Sequence, residues 1–254
     1  RFKCDWSSDV CSSDLALRGC YHGVSPDMAV AVPDILAKIV DRKRQIVAEL
    51  LPLRAEWERK AEARKPVRDF RAALLKNPPS IIAEVKKASP SKGIFTGDFR
   101  PVEIAKTYEN GGAAALSVLT DQDFFQGSLA DLVAARAAVE IPVLRKDFTI
   151  DEVQIFEAAA HGADAILLIA AILNASEMRR FRECAARFGM AAIVEVHDEG
   201  ELAPALESGA EIVGVNNRNL HTFETKLETS LRLAEKIPSR IVKVAESGIA
   251  TNDD

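Results

Sequence analysis

The sequence contains no hydrophobic run long enough to cross a membrane. The longest one, from Ala165 to Leu173, is far shorter than the ~20 apolar residues that span a bilayer. The first residues also lack the basic and then apolar pattern of a secretory signal. A formal net charge of -5 gives no reason to expect nucleic acid or an anionic membrane as the main partner. We therefore expect a cytoplasmic enzyme or binding protein.

Cysteine and histidine are too few and too scattered for a disulfide framework or a metal site. Three of the four cysteines, Cys4, Cys11 and Cys20, lie near the start, and Cys184 stands alone in a helical pattern. There is no C-x2-C pair and no H-E-x-x-H motif. We therefore expect no structural metal.

The first residues show no sustained helical or strand period and no initiator methionine. Their stretch "CDWSSDVCSSDL" resembles translated sequencing-adapter read-through, and a disordered tail is the alternative. We assign residues 1–27 to this tail and exclude them from the reasoning about fold and function.

Residues 28–79 are predicted to form a helical extension. From Pro33 to Lys76, apolar residues recur at i, i+3 and i+4 spacing, and Pro52 and Pro66 divide the segment. Its many basic residues could suggest RNA binding. Because acidic residues are interleaved throughout, a solvated helix face is the favoured interpretation.

Residues 80–254 alternate short apolar runs with amphipathic helical patterns such as Asp151–Ala160, Ser176–Phe188 and Glu199–Glu207. This alternation implies a parallel sheet. Seven runs are predicted as strands: Ile81–Lys86, Ala114–Leu119, Pro142–Lys146, Ala165–Ile169, Ala191–Val196, Ile212–Val215 and Ile241–Ala245.

A weak internal repeat favours an α/β fold of the (β/α)8 TIM-barrel type. Gly112, Gly162 and Gly209 each end a helix before a strand and lie about fifty residues apart, the length of two strand–helix units. Composition does not exclude an open doubly wound sheet, but no G-x-G-x-x-G follows the first strand. The sequence ends where an eighth unit should begin. We therefore expect a C-terminally truncated barrel with two unpaired edges, and a 254-residue chain that is inactive or poorly folded.

Charged and polar residues cluster at the predicted carboxyl ends of the strands, where barrels carry their chemistry. Strands two and four are the exception, since they end almost without charge. Opposite charges in one cleft shift each other's pKa and supply proton donors and acceptors. His197 precedes a helix start, so we expect a solvated or capping role for it. The candidate site residues at the strand ends are Glu84, Lys86, Ser89, Lys146, Asp147, Glu195, Asn216, Asn217, Arg218, Glu246, Ser247 and Gly248.

Five segments follow one another along the barrel part of the sequence: "IIAEVKKASPSKGIF", "RKDFTIDEVQIFEAAAHGADAILLIAAIL", "VEVHDEGEL", "GVNNRNLHTFE" and "VAESGI". In order and spacing they resemble the indole-3-glycerol-phosphate synthase family, and "ILAKIVDRKRQIVAEL" resembles that family's helical extension. The resemblance covers residues 33–254 and omits the family's eighth strand with its Gly-Ser phosphate turn.

The resemblance implies an enzyme of tryptophan biosynthesis, a lyase that needs no metal or organic cofactor. The family converts 1-(2-carboxyphenylamino)-1-deoxyribulose 5-phosphate to indole-3-glycerol phosphate and releases CO2 and water. Lys146 would be the general acid that protonates the ribulose carbonyl, and Glu195 would transfer protons in the later dehydration. Lys86, held by Glu84, would act in acid–base chemistry and phosphate contact. The division of proton transfers among Lys86, Lys146 and Glu195 stays open.

The resemblance also implies a set of residues that bind and orient the substrate. Asn216 would orient the catalytic groups, while Arg218 and Ser89 would hold the anthranilate end. Phe148 and Leu220 would form apolar walls against the aromatic ring. The ribose-phosphate side would be lined by Glu246, Ser247 and Gly248, where a Ser-Gly turn exposes backbone N–H groups to the phosphate.

Two other functions remain open from the residues alone. A class I aldolase-like phosphate-binding barrel could use Lys146 as a Schiff-base amine. A non-catalytic barrel fragment could serve only as a binding module, although the intact set of charged residues argues against a degenerate site. Fusion or association with other tryptophan-pathway enzymes is a further possibility.

Overall fold

The computed structural model describes residues 34–64, 66–90, 93–95, 97–220, 222 and 224–251. The predicted tail (1–27), residues 28–33 of the extension, and Ser91 and Lys92 of the first loop lie outside the described residues. Among the described residues, three helices precede the first strand, namely α1 (Asp34–Leu50), α2 (Arg54–Glu62) and α3 (Phe70–Lys76), with a 3-10 turn at Leu51–Leu53. None of the helices in the described ranges is long and apolar enough to cross a membrane.

The strands confirm the predicted α/β architecture. Seven of them form one sheet in the order β1-β4-β5-β6-β7-β8-β9, in which every neighbouring pair is parallel. Each of the seven lies within one residue of its predicted bounds. They are β1 (Ile82–Val85), β4 (Ala115–Leu119), β5 (Val143–Lys146), β6 (Ala165–Ile169), β7 (Ala191–Val196), β8 (Ile212–Asn216) and β9 (Val242–Glu246).

A small antiparallel hairpin follows β1. It consists of β2 (Ala88–Ser89) and β3 (Gly93–Ile94), with Ser89 opposite Gly93. The sequence predicts a plain loop here, because two-residue strands are too short to show a period of two.

Six helices connect the strands of the large sheet, and their starts follow local sequence signals. Ser128, Asp151, Asn174 and Asp198 each accept a backbone N–H of the first turn of the helix that they precede. The helices are α4 (Pro101–Asn110), α5 (Leu129–Ala138), α6 (Glu152–Ala160), α7 (Ala175–Arg187), α8 (Glu199–Glu207) and α9 (Glu228–Ala234).

Alternation along the strands builds two apolar layers. In β6, Ala165, Leu167 and Ile169 belong to the interior layer of the sheet. Ile166 and Leu168 point the other way and belong to the outer layer, which also contains residues of the helices that connect the strands. Helix α3 adds Phe70 and Leu74 to the interior layer, beside strand residues such as Ala115 and Ala165 that begin their strands. Apolar side chains therefore close the amino-terminal end of the sheet interior, whereas charged residues such as Lys146 and Glu246 end their strands at the opposite end.

We expected the basic residues of α1 to lie on a solvated helix face, but not all of them do. Arg44 is exposed, but Lys43 is only 3% exposed. Lys43 continues the buried stripe of Leu36, Ile39 and Val47, which recur at helical spacing. The prediction was wrong for this residue because it followed composition rather than position on the helix.

Candidate active site

The carboxyl ends of three strands place one ammonium group between two carboxylates. Lys146 ends β5, and its Nζ lies 2.9 Å from Glu84 Oε2 and 3.3 Å from Glu246 Oε2. Glu84 belongs to β1 and Glu246 ends β9, the strands at the two edges of the sheet. The sheet therefore curves until both edges reach one lysine. Lys86, directly after β1, bonds to the other oxygen of Glu84.

Mutual attraction keeps Glu84 and Lys146 charged. Burial would raise the pKa of Glu84, but the charges of Lys146 and Lys86 outweigh it and lower that pKa to about 2. Burial also opposes the charge of Lys146, yet Glu84, Glu246 and Glu195 raise its pKa above the ordinary lysine value. Lys146 is therefore an ammonium ion at neutral pH, which can donate a hydrogen bond or a proton.

Glu195, on β7, supplies a carboxylate beside this cluster. Its Oε1 accepts a hydrogen bond from Asn216 Nδ2 at 3.3 Å and lies 3.4 Å from His197 Nε2. Burial would raise the pKa of Glu195, but the adjacent His197 imidazole and the charge of Lys146 lower it to about 2. Glu195 is therefore ionised at neutral pH and can accept a proton.

His197 is neither solvated nor a helix cap, so that expectation was wrong. Only 9% of its side chain is exposed, and the N-cap of α8 is Asp198. His197 Nδ1 lies 2.9 Å from Glu201 Oε2, in the first turn of α8. Burial would lower the pKa of His197, but Glu195 and Glu201 raise it to about 10. The imidazole is therefore a cation that bridges two acids, and Glu201 four residues downstream was the sequence signal for it.

The pKa of Glu246 is shifted in the opposite direction from the pKa of Glu84. Burial raises the pKa of Glu246, the charge of Lys146 lowers it, and Glu195 raises it again, to about 7. The carboxyl group of Glu246 is therefore half protonated near neutral pH, in contrast to the ionised Glu84.

Gly214 makes room for this carboxyl group and was missed by the sequence reasoning. A Cβ on Gly214 would overlap Glu246 Oε1 and lie 3.1 Å from Ile193 Cγ2. The sequence signal for this contact was the glycine between β-branched residues in the strand "IVGVN". A glycine inside a strand often marks the close approach of another group.

The turn after β9 is held by two asparagines. Ser247 Oγ donates to Asn216 Oδ1 at 2.9 Å, and Asn217 Nδ2 donates to the Ser247 carbonyl oxygen at 3.1 Å. Ser247 has a φ of 68° and Gly248 a φ of 83°, so both adopt the left-handed region that favours glycine. The hydrogen bonds fix Ser247 in this costly conformation, which places the Ser-Gly turn beside Asn216 and Glu246.

Comparison with known proteins adds a second, independent observation. The family model of indole-3-glycerol phosphate synthase matches residues 36–254. The chain belongs to the indole-3-glycerol phosphate synthase family. It is 50% identical over 228 residues to the indole-3-glycerol phosphate synthase of Polaromonas naphthalenivorans, covering 87% of this chain and 86% of that relative. It is 53% identical over 221 residues to that of Desulfotalea psychrophila, covering 85% and 84%.

The structure also describes the surroundings of four further residues that the family resemblance implied. Ser89 is buried in β2, and Arg218 is 8% exposed with its backbone N–H donating to Asn216 Oδ1 at 3.1 Å. The Phe148 ring lies 6.0 Å from the Phe125 ring. Leu220 is half-buried in the turn of a short hairpin in which Arg218 pairs with Thr225. The family roles of these four residues stay predictions.

Proposed function

We propose that the protein converts 1-(2-carboxyphenylamino)-1-deoxyribulose 5-phosphate to indole-3-glycerol phosphate, the reaction implied by its family. The observation that carries this proposal is the Lys146 ammonium ion held between Glu84 and Glu246, with the ionised Glu195 beside it. A proton donor and a proton acceptor at one end of the sheet are what a ring closure followed by dehydration requires.

In the first step, Lys146 is the general acid. The new carbon–carbon bond forms as the substrate's ring carbon attacks the ribulose carbonyl carbon, and the carbonyl oxygen receives the proton of the ammonium group. CO2 then leaves, and its bonding electrons restore the aromatic ring. Lys146 meets the first requirement of this role, because it carries its proton at neutral pH.

In the second step, Lys86 donates a proton to the hydroxyl group, which leaves as water, and Glu195 accepts the proton that the substrate loses as the new double bond forms. Asn216 orients Glu195 through its amide, as the 3.3 Å contact suggests. Lys86, bonded to Glu84, contributes to acid–base chemistry and to phosphate contact. This assignment keeps the donor of the first step and the acceptor of the second on separate strands, β5 and β7.

The substrate is held by groups around this centre. Arg218 and Ser89 bind the anthranilate carboxylate, which must stay oriented until CO2 leaves. Phe148 and Leu220 form the apolar walls against the ring. The ribose-phosphate side is formed by Glu246, Ser247 and Gly248, and the stabilised turn after β9 supports that assignment.

We also propose a cytoplasmic location and a division into a helical extension (28–79) and a barrel (80–254). A soluble phosphorylated substrate and the absence of a membrane-crossing helix in the described ranges fit this location. Fusion or association with other tryptophan-pathway enzymes stays a prediction, as does the independence from metal and organic cofactors.

The test is turnover by the purified protein. We expect the indole product to appear by fluorescence when the substrate is added. Borohydride treatment during turnover should leave Lys146 unmodified in the mass spectrum, because a Schiff base needs a neutral amine and three acids keep Lys146 charged. A reduced adduct on Lys146 would favour the aldolase-like alternative, and the absence of an indole product would contradict the proposal.

A further inference from the structure

Helix α1 contributes a buried cation to the loops at the carboxyl end of the sheet. Lys43 Nζ lies 2.6 Å from Asp147 Oδ1 and 3.0 Å from Asp121 Oδ2. The two acids are 2% and 0% exposed, and Lys43 is 3% exposed. Burying a lone ammonium ion costs several kcal/mol, so a site of this kind is stable only when the charges are matched. Lys43 therefore joins two acids that would otherwise repel each other.

The two acids belong to different loops, and each fixes the backbone of an aromatic residue. Asp121 follows β4, and its Oδ1 accepts the backbone N–H of Phe125 at 3.2 Å. Asp147 follows β5, and its Oδ1 accepts the backbone N–H of Phe148 at 2.8 Å. The two aromatic rings lie 6.0 Å apart. One lysine thereby sets the spacing of two loops that meet in an aromatic pair.

The remaining charges of this network do not replace Lys43. Arg145 contacts Asp147 Oδ2 at 3.1 Å and Glu157 Oε2 at 2.9 Å, and the Asp147 oxygen also accepts from Thr120. Burial would raise the pKa of Asp147, but Arg145 and Lys43 lower it, so Asp147 is ionised. Arg145 already pairs with both Asp147 and Glu157, so without Lys43 the described ion pairs would leave Asp121 without a cation.

The catalytic lysine is held by other groups. Lys146 is adjacent to Asp147 in sequence, but its Nζ contacts Glu84 and Glu246 from the two edge strands. A change at Lys43 therefore acts first on the aromatic pair and leaves the ion pairs of Lys146 in place.

We infer that Lys43 is a positioning residue for substrate binding, which fixes the Phe125–Phe148 pair by joining Asp121 to Asp147. The inference rests on the proposed function insofar as Phe148 contacts the aromatic part of the substrate. It assigns to α1 a direct role in the shape of the binding site, in addition to packing against the barrel.

The kinetic test uses Lys43→Met, which keeps the length of the side chain and removes its charge. In the purified protein we expect KM to rise about tenfold, a change of about 1.4 kcal/mol, with kcat within about a factor of two of the parent. The double variant Lys43→Met/Asp121→Asn removes the stranded charge and should recover part of the loss. Arg44→Met changes an exposed neighbour that pairs only with Asp41 among the ion pairs described, and it should match the parent. Equal KM values in Lys43→Met and Arg44→Met would overturn the inference.

A second measurement does not depend on turnover. Hydrogen exchange of the Phe125 and Phe148 amides reports directly on their bonds to Asp121 and Asp147. Exchange should be faster in Lys43→Met than in the parent or in Arg44→Met. In the double variant, exchange should be slower than in Lys43→Met. Unchanged exchange would contradict the positioning role even if the protein had another activity. Faster exchange in Lys43→Met, combined with a parent protein that shows no turnover, would support the role of Lys43 while refuting the proposed function.

Discussion

Glu246→Gln should change how stability depends on pH. Only 14% of the Glu246 side chain is exposed, and burial together with Glu195 outweighs Lys146 so that the pKa is about 7. The ordinary value is 4.5. The folded state therefore binds the Glu246 proton more tightly than the unfolded state does. Glutamine keeps the shape of the protonated acid and cannot ionise, so the difference between parent and variant reports the titration of Glu246 together with its charge interactions with Lys146 and Glu195.

The sign and size follow from linkage between proton binding and folding. For an acid with a raised pKa, the stabilising contribution is fully present below the unfolded value and is lost as pH rises through the folded value. The shift from 4.5 to about 7 corresponds to about 3 kcal/mol, at about 1.4 kcal/mol per pKa unit. The parent protein should therefore lose about 3 kcal/mol relative to Glu246→Gln between pH 4.5 and pH 8.

The assay is urea unfolding of the parent and the variant across this pH range. Glu183→Gln, an exposed carboxylate on α7, is the control and should follow the parent at every pH. If the difference in unfolding free energy between the parent and Glu246→Gln stays constant with pH, the raised pKa of Glu246 is refuted. An increase of parent stability relative to the variant with rising pH would show that Lys146, rather than burial, dominates at Glu246.

Two further substitutions test the surroundings of the site. Gly214→Ala should force the Glu246 carboxyl group away from Lys146 and destabilise the fold by about 1–3 kcal/mol in urea unfolding. Gly97→Ala is the control, because an added Cβ there meets nothing within 4 Å and should leave both the carboxyl group and the stability unchanged. Equal loss of stability in the two variants would contradict the steric argument. His197→Gln removes a cation from Glu195, so the pKa of Glu195 should rise from about 2 and the acidic limb of the kcat/KM profile should move to higher pH. An acidic limb that does not move would show that His197 has no effect on the catalytic proton.

The strands could be predicted from sequence because their information is local. Each is a short apolar run next to an amphipathic helix, and a run such as Ala165–Ile169 needs no knowledge of its neighbours. The convergence of Glu84 and Lys146 followed from one topological rule, that the carboxyl ends of parallel strands meet at one end of a barrel. The contact of Lys146 with both edge strands needed the curvature of the sheet as well.

Other parts of the site depend on contacts between residues far apart in sequence. Gly214 is required by a carboxyl group on the neighbouring strand, and nothing beside it in sequence specifies Glu246. Lys43 pairs with acids more than seventy residues away, so its place on the apolar stripe of α1 was the only local signal. His197 was misjudged because burial by the surrounding elements decides between a solvated histidine and a bridging cation.

The central claim is that Lys146 donates the proton that makes ring closure possible. Its most direct test is indole-fluorescence turnover by purified Lys146→Ala, with Lys106→Ala, an exposed lysine on α4, as the control. General acid catalysis contributes about 10²–10⁴-fold, so kcat should fall by at least about a hundredfold in Lys146→Ala and stay unchanged in Lys106→Ala. Turnover by Lys146→Ala at the rate of the parent would contradict the account.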